Sequence, residues 1–100
     1  ALPVHTPLQE VPMALADDFQ SAVERAPKLP KRPPSDILLQ FYALFKQASV
    51  GDMEGDRPGF ADFEGRAKYD AWSKLQGKAQ EEAMQEYIAL IERIEQEQNT

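Results

Sequence analysis

At 100 residues, the chain is long enough to form one small hydrophobic core and too short to form a second. Its 42% hydrophobic and 28% charged residues are typical of a globular protein and exclude an intrinsically disordered chain. With 11 basic against 17 acidic residues, the formal net charge is -6, so the average electrostatic field repels nucleic acid and anionic membranes. An anionic ligand must therefore bind to a local cluster of basic residues.

The chain contains no cysteine, which excludes disulfides, thiolate metal sites and a cysteine nucleophile. The one histidine, His5, has no second metal-binding residue beside it, so we expect no metal site. The acidic residues Asp52, Glu54 and Asp56 alternate as in a calcium loop, but Phe63 stands where that loop needs its last glutamate. We assign them to turn structure. No nucleophile and base form a recognisable pair, and an enzyme is not expected.

The amino-terminal segment, residues 1–16, is partly apolar but is interrupted by prolines and carries Glu10. It lacks the continuous apolar segment of a signal peptide. No stretch of the chain approaches the roughly 20 apolar residues that cross a bilayer. We expect residues 1–16 to form an extended arm and the protein to be cytoplasmic.

The first amphipathic segment begins near Asp17 and Asp18, whose carboxylates suit the positive end of a helix dipole. Pro27 and Pro30 end this helix, because proline disfavours helical geometry at the residue before it. The linker that follows, residues 28–34, is basic and rich in proline. We interpret it as a stiff, solvated connector, and a direct contact of its cations with a ligand is the alternative.

The most regular helical pattern runs from Ile37 to about Val50, with Ser35 or Asp36 as its cap and Gly51 as its stop. One face of this helix is apolar and predicts docking against a core. A second face carries two rings and a lysine at positions i, i+3 and i+4, which is more than packing requires. We predict that this second face is a binding site. Its members are Tyr42, Phe45, Lys46 and Ser49.

Residues 51–65 predict a long loop, because glycine, proline and aspartate recur in it. Its two phenylalanines, Phe60 and Phe63, are expected to pin the loop to the core. Large apolar side chains anchor the core of a small bundle. The side chains expected in the core are Phe19, Phe41, Phe63 and Trp72.

Two more helices are predicted, one from about Phe63 or Arg66 to Gln76 and one from near Ala79 to Ile94, with Gly77 between them. The polar tail, residues 95–100, is expected to fray. Four helices without any strand pattern predict an all-α four-helix bundle over residues 17–97, with residues 98–100 as the frayed end.

Six separated motifs occur in the order and at the spacing found in the acyl-CoA-binding protein family, which the chain closely resembles from about Phe19 to Ile94. The motifs are YALFKQA at residues 42–48, VGD at 50–52, RPG at 57–59, DF at 62–63, GRAKYDAW at 65–72 and AMQEYI at 83–88. The resemblance implies an up-down-down-up bundle that binds medium- to long-chain acyl-CoA esters without transforming them. It also implies that the protein buffers and transports these esters inside the cell and needs no cofactor.

The resemblance also implies the residues of the ligand site. In the family, the counterparts of Tyr42 and Lys46 contact the 3'-phosphate of the ligand, and the counterpart of Phe45 stacks on its adenine. Further contacts are implied on helices two, three and four. They are Ala43, Lys68 and Tyr87, together with Leu38 and Leu39 in the groove for the acyl chain.

Three positions depart from the family pattern. Phe45 keeps the stacking ring but lacks the hydroxyl that is common there. One family lysine falls at Pro27, which leaves the neighbouring Lys28 as a substitute ligand contact, and another family lysine falls at Glu64. The loss of two cations is expected to weaken binding of the headgroup without abolishing it.

The implied partner is long-chain acyl-CoA, with transient contacts to membranes or to enzymes that use acyl-CoA. We expect no nucleic acid partner, no stable membrane insertion and a monomeric protein. The alternative is a helical protein-interaction module in which the apolar face of the fourth helix, residues 83–94, docks on a partner.

Overall fold

The computed structural model describes residues 11–99, and within this range it contains four α-helices and no strand. The helices are α1 (Met13–Arg25), α2 (Ser35–Ser49), α3 (Phe63–Ser73) and α4 (Gln80–Gln98), and one short 3-10 turn, Ala26–Lys28, follows α1. The all-α prediction is confirmed. No helix within residues 11–99 is both long enough and apolar enough to cross a membrane.

α1 and α4 run in the same direction. The ring of Phe19 packs edge-on against Tyr87. Further along both helices, Arg25 forms an ion pair with Glu95. The order of the two contacts is the same on each helix, so α1 and α4 are parallel.

α2 and α3 also run in the same direction, opposite to the other pair. The Lys68 ammonium lies over the ring of Tyr42, and one turn later Trp72 lies under the ammonium of Lys46. The first residue of α4, Gln80, donates a hydrogen bond to the last turn of α2, so these two helices are antiparallel. The directions reproduce the predicted up-down-down-up topology.

The core lies between α1, α2 and α4. Its buried members are Phe19, Ala22, Phe41, Leu44, Ala48, Ala83, Tyr87, Leu90, Ile91 and Ile94. α3 contributes no fully buried residue. The prediction of a core position was therefore correct for Phe19 and Phe41, whereas Trp72 is only half-buried. The apolar face of α4 is buried in this core. It is therefore not accessible to the protein partner that the alternative hypothesis requires.

Both ends of the predicted helical region needed correction. α1 begins at Met13, a full turn before Asp17, and its first hydrogen bond runs from Ala16 N–H to the carbonyl of Pro12. Residues 13–16 of the predicted arm are therefore helical, and residues 1–10 lie outside the described range. α4 continues to Gln98, whose side-chain amide donates to the carbonyl of Lys31 at 2.8 Å and accepts from its N–H at 3.2 Å. These bonds hold the end that was predicted to fray.

The predicted cap of α2 was also wrong. The residue before the helix is Pro34, no side chain caps the first turn, and Ser35 and Asp36 lie inside that turn. A carboxylate in the first turn is still favourable for the helix dipole. α3 has the cap that the sequence prediction missed, because Asp62 accepts a hydrogen bond from Gly65 N–H at 2.9 Å. A Cβ on Gly65 would collide with the Asp62 carboxylate, which would have to shift to make room for it.

The loop between α2 and α3 is not pinned by its phenylalanines, as had been predicted. Phe60 and Phe63 are 76% and 79% exposed. Polar contacts to α3 hold the loop instead. The Arg57 guanidinium donates to the Asp70 carboxylate, and the Tyr69 hydroxyl donates to the Gly55 carbonyl. The Arg66 guanidinium donates to the Pro58 carbonyl.

A fully buried amide, Gln47, joins the end of α2 to three other segments. Its nitrogen donates to the carboxylate of Asp52 and to the carbonyl of Lys78, both at 2.8 Å, and its oxygen accepts from the indole N–H of Trp72 at 3.0 Å. A buried amide needs such partners to offset the loss of its hydration. Gln47 therefore ties α2, the following loop, α3 and the turn before α4 together.

Replacing this amide tests its contribution to stability. We expect Gln47→Met to lower the free energy of unfolding by about 2 kcal/mol, because the volume is kept while buried hydrogen-bonding groups lose their partner. Gln40→Met, at an exposed position of the same helix, is the control and should change stability little. Urea denaturation monitored by circular dichroism gives both values, and equal stabilities of the two variants would contradict the role of Gln47.

The carboxyl of Asp52 makes stability depend on pH. Hydrogen bonds from Gly77 N–H and from Gln47 lower the pKa of Asp52 in the folded chain. Its carboxylate therefore stabilises the fold above about pH 4, and this stabilisation is lost as the pH falls through the folded pKa. Asp52→Asn removes the titration, so its unfolding free energy should fall less steeply below about pH 4.

The matched control for this pH profile is Asp56→Asn. Asp56 belongs to the same loop, and its carboxylate accepts no hydrogen bond from any residue in the described range. Asp56→Asn should keep the profile of the unaltered chain. Parallel acid profiles for Asp52→Asn and the unaltered chain would show that the Asp52 hydrogen bonds do not stabilise the fold.

Candidate functional site

The rings and the lysine predicted on one face of α2 do share a surface. Tyr42 and Lys46 are half-buried, and Phe45 is 38% exposed. The ring of Phe45 stacks against that of Phe19 on α1, with centroids 6.2 Å apart. One aromatic face is thus supported from behind by the core and remains accessible from in front.

Two lysine ammonium groups are held over rings of the neighbouring helix. Lys46 Nζ of α2 lies 5.2 Å from the ring centroid of Trp72 on α3, and Lys68 Nζ of α3 lies 5.3 Å from that of Tyr42 on α2. Each contact is worth about 0.5–1 kcal/mol at an exposed site. The parallel helices therefore bring together the predicted site residues Tyr42, Lys46 and Lys68. Each helix contributes one lysine, whose ammonium contacts a ring of the other helix.

The two cations differ in their electrostatic surroundings. Lys68 forms an ion pair with Glu64 one turn earlier on α3, with nitrogen and oxygen 3.1 Å apart. Lys46 has no carboxylate partner within the part of the chain that the structure describes. An anion that approaches this surface meets one unpaired ammonium and one that already has a counterion.

Tyr87 lies behind this surface. Its ring is buried and packs edge-on against Phe19 and Phe41, with centroids 5.3 and 5.2 Å away. Burial raises the pKa of Tyr87, so its hydroxyl stays protonated and can donate a hydrogen bond at neutral pH. Through Phe19, the same ring supports Phe45.

A cavity of about 430 Å³ opens between α2 and α3. From α2 it is lined by Leu39 and Ala43, and from α3 by Ala67 and Ala71, whose small side chains leave the space open. Leu38, which was predicted to line a groove with Leu39, is not part of the lining. The cavity can take a narrow apolar chain.

Charged groups surround the apolar lining. They are Asp36 and Asp70, together with Lys74 and Glu86. The Arg57 guanidinium donates two hydrogen bonds to the Asp70 carboxylate and lowers the pKa of Asp70. The Asp70 carboxylate therefore remains ionised at neutral pH. A charged rim around an apolar lining favours a ligand whose polar end stays outside the cavity. Neither Asp70 nor Trp72 was predicted as a site element, and their roles depend on contacts between distant segments.

Lys28 is separated from the other predicted ligand residues. It lines a second cavity, of about 380 Å³, between the ends of α1 and α4, together with Arg25, Leu29 and Glu95. The structure therefore does not bring Lys28 to Lys46 and Lys68.

These features describe a binding surface. Two ammonium groups and an accessible ring suit an anionic group and a flat heterocycle, and the adjoining cavity suits a hydrocarbon chain. Within residues 11–99, no cluster of three or more histidine or carboxylate side chains is arranged to hold a metal ion.

Comparison with known sequences identifies the relatives of the chain. The sequence model of the family described as "Acyl CoA binding protein" matches residues 16–91. The chain is 50% identical over 78 residues to the "Acyl-CoA-binding protein homolog" of Drosophila melanogaster, which covers 78% of this chain and 91% of that protein. It is 43% identical over 76 residues to the "Acyl-CoA-binding protein" of Saccharomyces cerevisiae, covering 76% of this chain and 87% of that protein.

Solved structures show the same fold. Acyl-CoA-Binding Protein 2 of Oryza sativa has a TM-score of 0.84 and 36% sequence identity, covering 88% of this chain and 96% of that one. ACBP from Moniliophthora perniciosa has a TM-score of 0.80 and 42% identity, covering 85% of this chain and 84% of that one.

Proposed function

The chain belongs to the acyl-CoA-binding protein family, and we propose that it binds medium- to long-chain acyl-CoA esters on the surface between α2 and α3. Family membership confirms the prediction of a non-enzymatic protein that binds and transports acyl-CoA as its ligand and not as a cofactor. The observation that supports the location most is the pair of lysines held over rings beside an apolar cavity.

The two lysines are proposed to bind the 3'-phosphate of the ligand. Lys46 and Lys68 extend from neighbouring helices, and Tyr42 lies beneath the Lys68 ammonium and offers a hydroxyl donor. Hydrogen bonds to charged groups contribute about 1.5–3 kcal/mol each. A dianion held by both ammonium groups therefore anchors the headgroup in an otherwise acidic protein.

The adenine is proposed to stack on Phe45. The ring is partly exposed, and Phe19 supports its other side. Stacking of a base on an aromatic side chain contributes about 1–3 kcal/mol and does not need the missing hydroxyl. Tyr87 lies one ring deeper and is proposed to contact the ligand through its protonated hydroxyl.

The acyl chain is proposed to enter the cavity lined by Leu39, Ala43 and Ala67. Burial of a methylene contributes about 0.8 kcal/mol, so about ten methylenes contribute roughly 8 kcal/mol before ordering costs. Chain length is therefore expected to dominate discrimination among esters. Leu38 and Lys28 stay predicted contacts of the ligand outside this cavity.

The predicted monomeric state, cytoplasmic location and transient contacts with enzymes stay predictions. The interaction module through α4 is not favoured, because the apolar side chains of that helix, such as Tyr87 and Ile91, are buried in the bundle.

Isothermal titration with palmitoyl-CoA, octanoyl-CoA, free CoA and palmitate tests the proposed function. We expect one-to-one binding that strengthens with chain length and requires the CoA headgroup. Lys46→Met should weaken binding of palmitoyl-CoA by about tenfold or more, because a charge-assisted bond is lost. Arg93→Met, on the far part of α4, is the control and should bind normally. Palmitate bound as tightly as palmitoyl-CoA would contradict the proposal.

The ion pair of Glu64 with Lys68 predicts a variant that binds more tightly. Glu64→Gln frees the Lys68 ammonium and removes a negative charge near the proposed phosphate position, so the affinity for palmitoyl-CoA should rise about two- to fivefold. A palmitoyl ester of 3'-dephospho-CoA should gain nothing.

Glu82→Gln is the matched control for this variant, because Glu82 pairs with Lys78 at the same i,i+4 spacing away from the site. It should bind like the unaltered chain. An equal change in the two variants, or weaker binding by Glu64→Gln, would show that Glu64 does not compete with the phosphate.

A further inference from the structure

The indole of Trp72 is fixed at its nitrogen by the end of α2 and by the loop that follows. Its N–H donates to the side-chain oxygen of Gln47 at 3.0 Å and to the carbonyl of Gly51 at 2.9 Å. Trp72 lies in the last turn of α3, so both acceptors belong to segments outside its own helix. The orientation of the ring is therefore set by the packing of α3 against α2.

The first of these acceptors is itself held in place. Gln47 is fully buried, and its nitrogen donates to the carboxylate of Asp52 at 2.8 Å. The Asp52 carboxylate also accepts from Gly77 N–H at 2.8 Å, and the two hydrogen bonds lower the pKa of Asp52, which keeps it ionised at neutral pH. Hydrogen bonds in series polarise one another, so this carboxylate strengthens the acceptor that the indole contacts.

The face of the same ring carries a site cation. The ammonium nitrogen of Lys46 lies 5.2 Å from the centroid of the Trp72 ring. A ring face attracts a cation because its quadrupole is negative there, and tryptophan is the strongest such partner. An N–H that donates hydrogen bonds shifts electron density into the ring, so Gln47 and Gly51 favour the cation on the ring face.

This contact holds Lys46 without neutralising it. Lys68 forms an ion pair with Glu64, whereas Lys46 has no carboxylate partner among residues 11–99. The indole carries no net charge, so Lys46 keeps its full charge and its N–H donors for an anion. A lysine whose position is already restricted loses less side-chain entropy when it binds a ligand.

We propose that Trp72 is a positioning residue for the CoA headgroup: it holds the Lys46 ammonium where the 3'-phosphate binds, and Gln47 and Gly51 fix its indole for this task. The inference rests on the proposed function, in which Lys46 binds that phosphate. Trp72 acts through Lys46 and needs no contact with the ligand. Its contribution to affinity must therefore disappear when Lys46 is replaced.

Fluorinated tryptophan tests this role. Trp72 is the only tryptophan of the chain, so biosynthetic incorporation alters this ring alone. Fluorine withdraws electron density from the ring face, while the indole N–H and nearly the whole shape remain. Singly and doubly fluorinated rings should lower the affinity for palmitoyl-CoA in steps, reaching about two- to fivefold with the doubly fluorinated ring. Isothermal titration measures the affinity, and unchanged thermal unfolding shows that the fold is kept.

Two variant backgrounds separate a positioning role from a structural one. In Lys46→Met, fluorination should leave the affinity unchanged, because the cation on the ring is absent. In Lys68→Met, which removes the ammonium that lies over Tyr42, fluorination should still lower the affinity about two- to fivefold. Such a cycle isolates the coupling between two groups. Equal losses in both backgrounds would assign Trp72 to the fold or to direct ligand contact and overturn the inference.

The phosphate of the ligand supplies a second readout. With the palmitoyl ester of 3'-dephospho-CoA, fluorination should change the affinity little, because the group that Lys46 binds is missing. Binding of palmitoyl-CoA that fluorination leaves unchanged would overturn the positioning role alone. Tighter binding after fluorination would also overturn it, because the ring would then withhold Lys46 from the phosphate. A chain that binds neither ester would overturn the proposed function itself.

Discussion

The binding surface depends on α2 and α3 lying side by side in the same direction, and the buried amide of Gln47 fixes that arrangement. Parallel neighbours in a bundle need a long crossing connection, which loses conformational entropy when it is ordered. Gln47 anchors the start of this connection at Asp52 and binds the indole of Trp72 on α3. The same indole then carries the ammonium of Lys46, so a structural hydrogen bond leads directly to a site cation.

An acidic protein that binds an anion has to concentrate its positive potential locally. Here the fold places the ammonium of each lysine, Lys46 and Lys68, over an aromatic ring of the neighbouring helix. These contacts restrict the positions of both ammonium groups before any ligand binds. Preorganisation of this kind reduces the entropy lost on binding. The ion pair with Glu64 reduces the positive potential at Lys68. The basic linker before α2 is a second place where the chain concentrates positive charge.

The sequence predicted the four helices, their class and the shared face of Tyr42, Phe45 and Lys46, because helical periodicity is a local property. It did not predict the exposure of Phe60 and Phe63 or the order of α4 through Gln98, since both depend on contacts between distant segments. The roles of these side chains could not be inferred from hydrophobicity alone. Family resemblance alone implied that Lys68 contacts the ligand, and only the fold shows that its ammonium lies over the ring of Tyr42.

The most direct test of the central claim is an NMR titration of the isotopically labelled chain with palmitoyl-CoA and, separately, with free CoA. The proposed function predicts that both ligands shift the resonances of Tyr42, Phe45, Lys46 and Lys68. Only palmitoyl-CoA should shift those of Leu39, Ala43 and Ala67 in the cavity. Shifts confined to the exposed side of α4, or identical shifts from the two ligands throughout α2 and α3, would contradict the assignment of headgroup and acyl chain to these two adjoining surfaces.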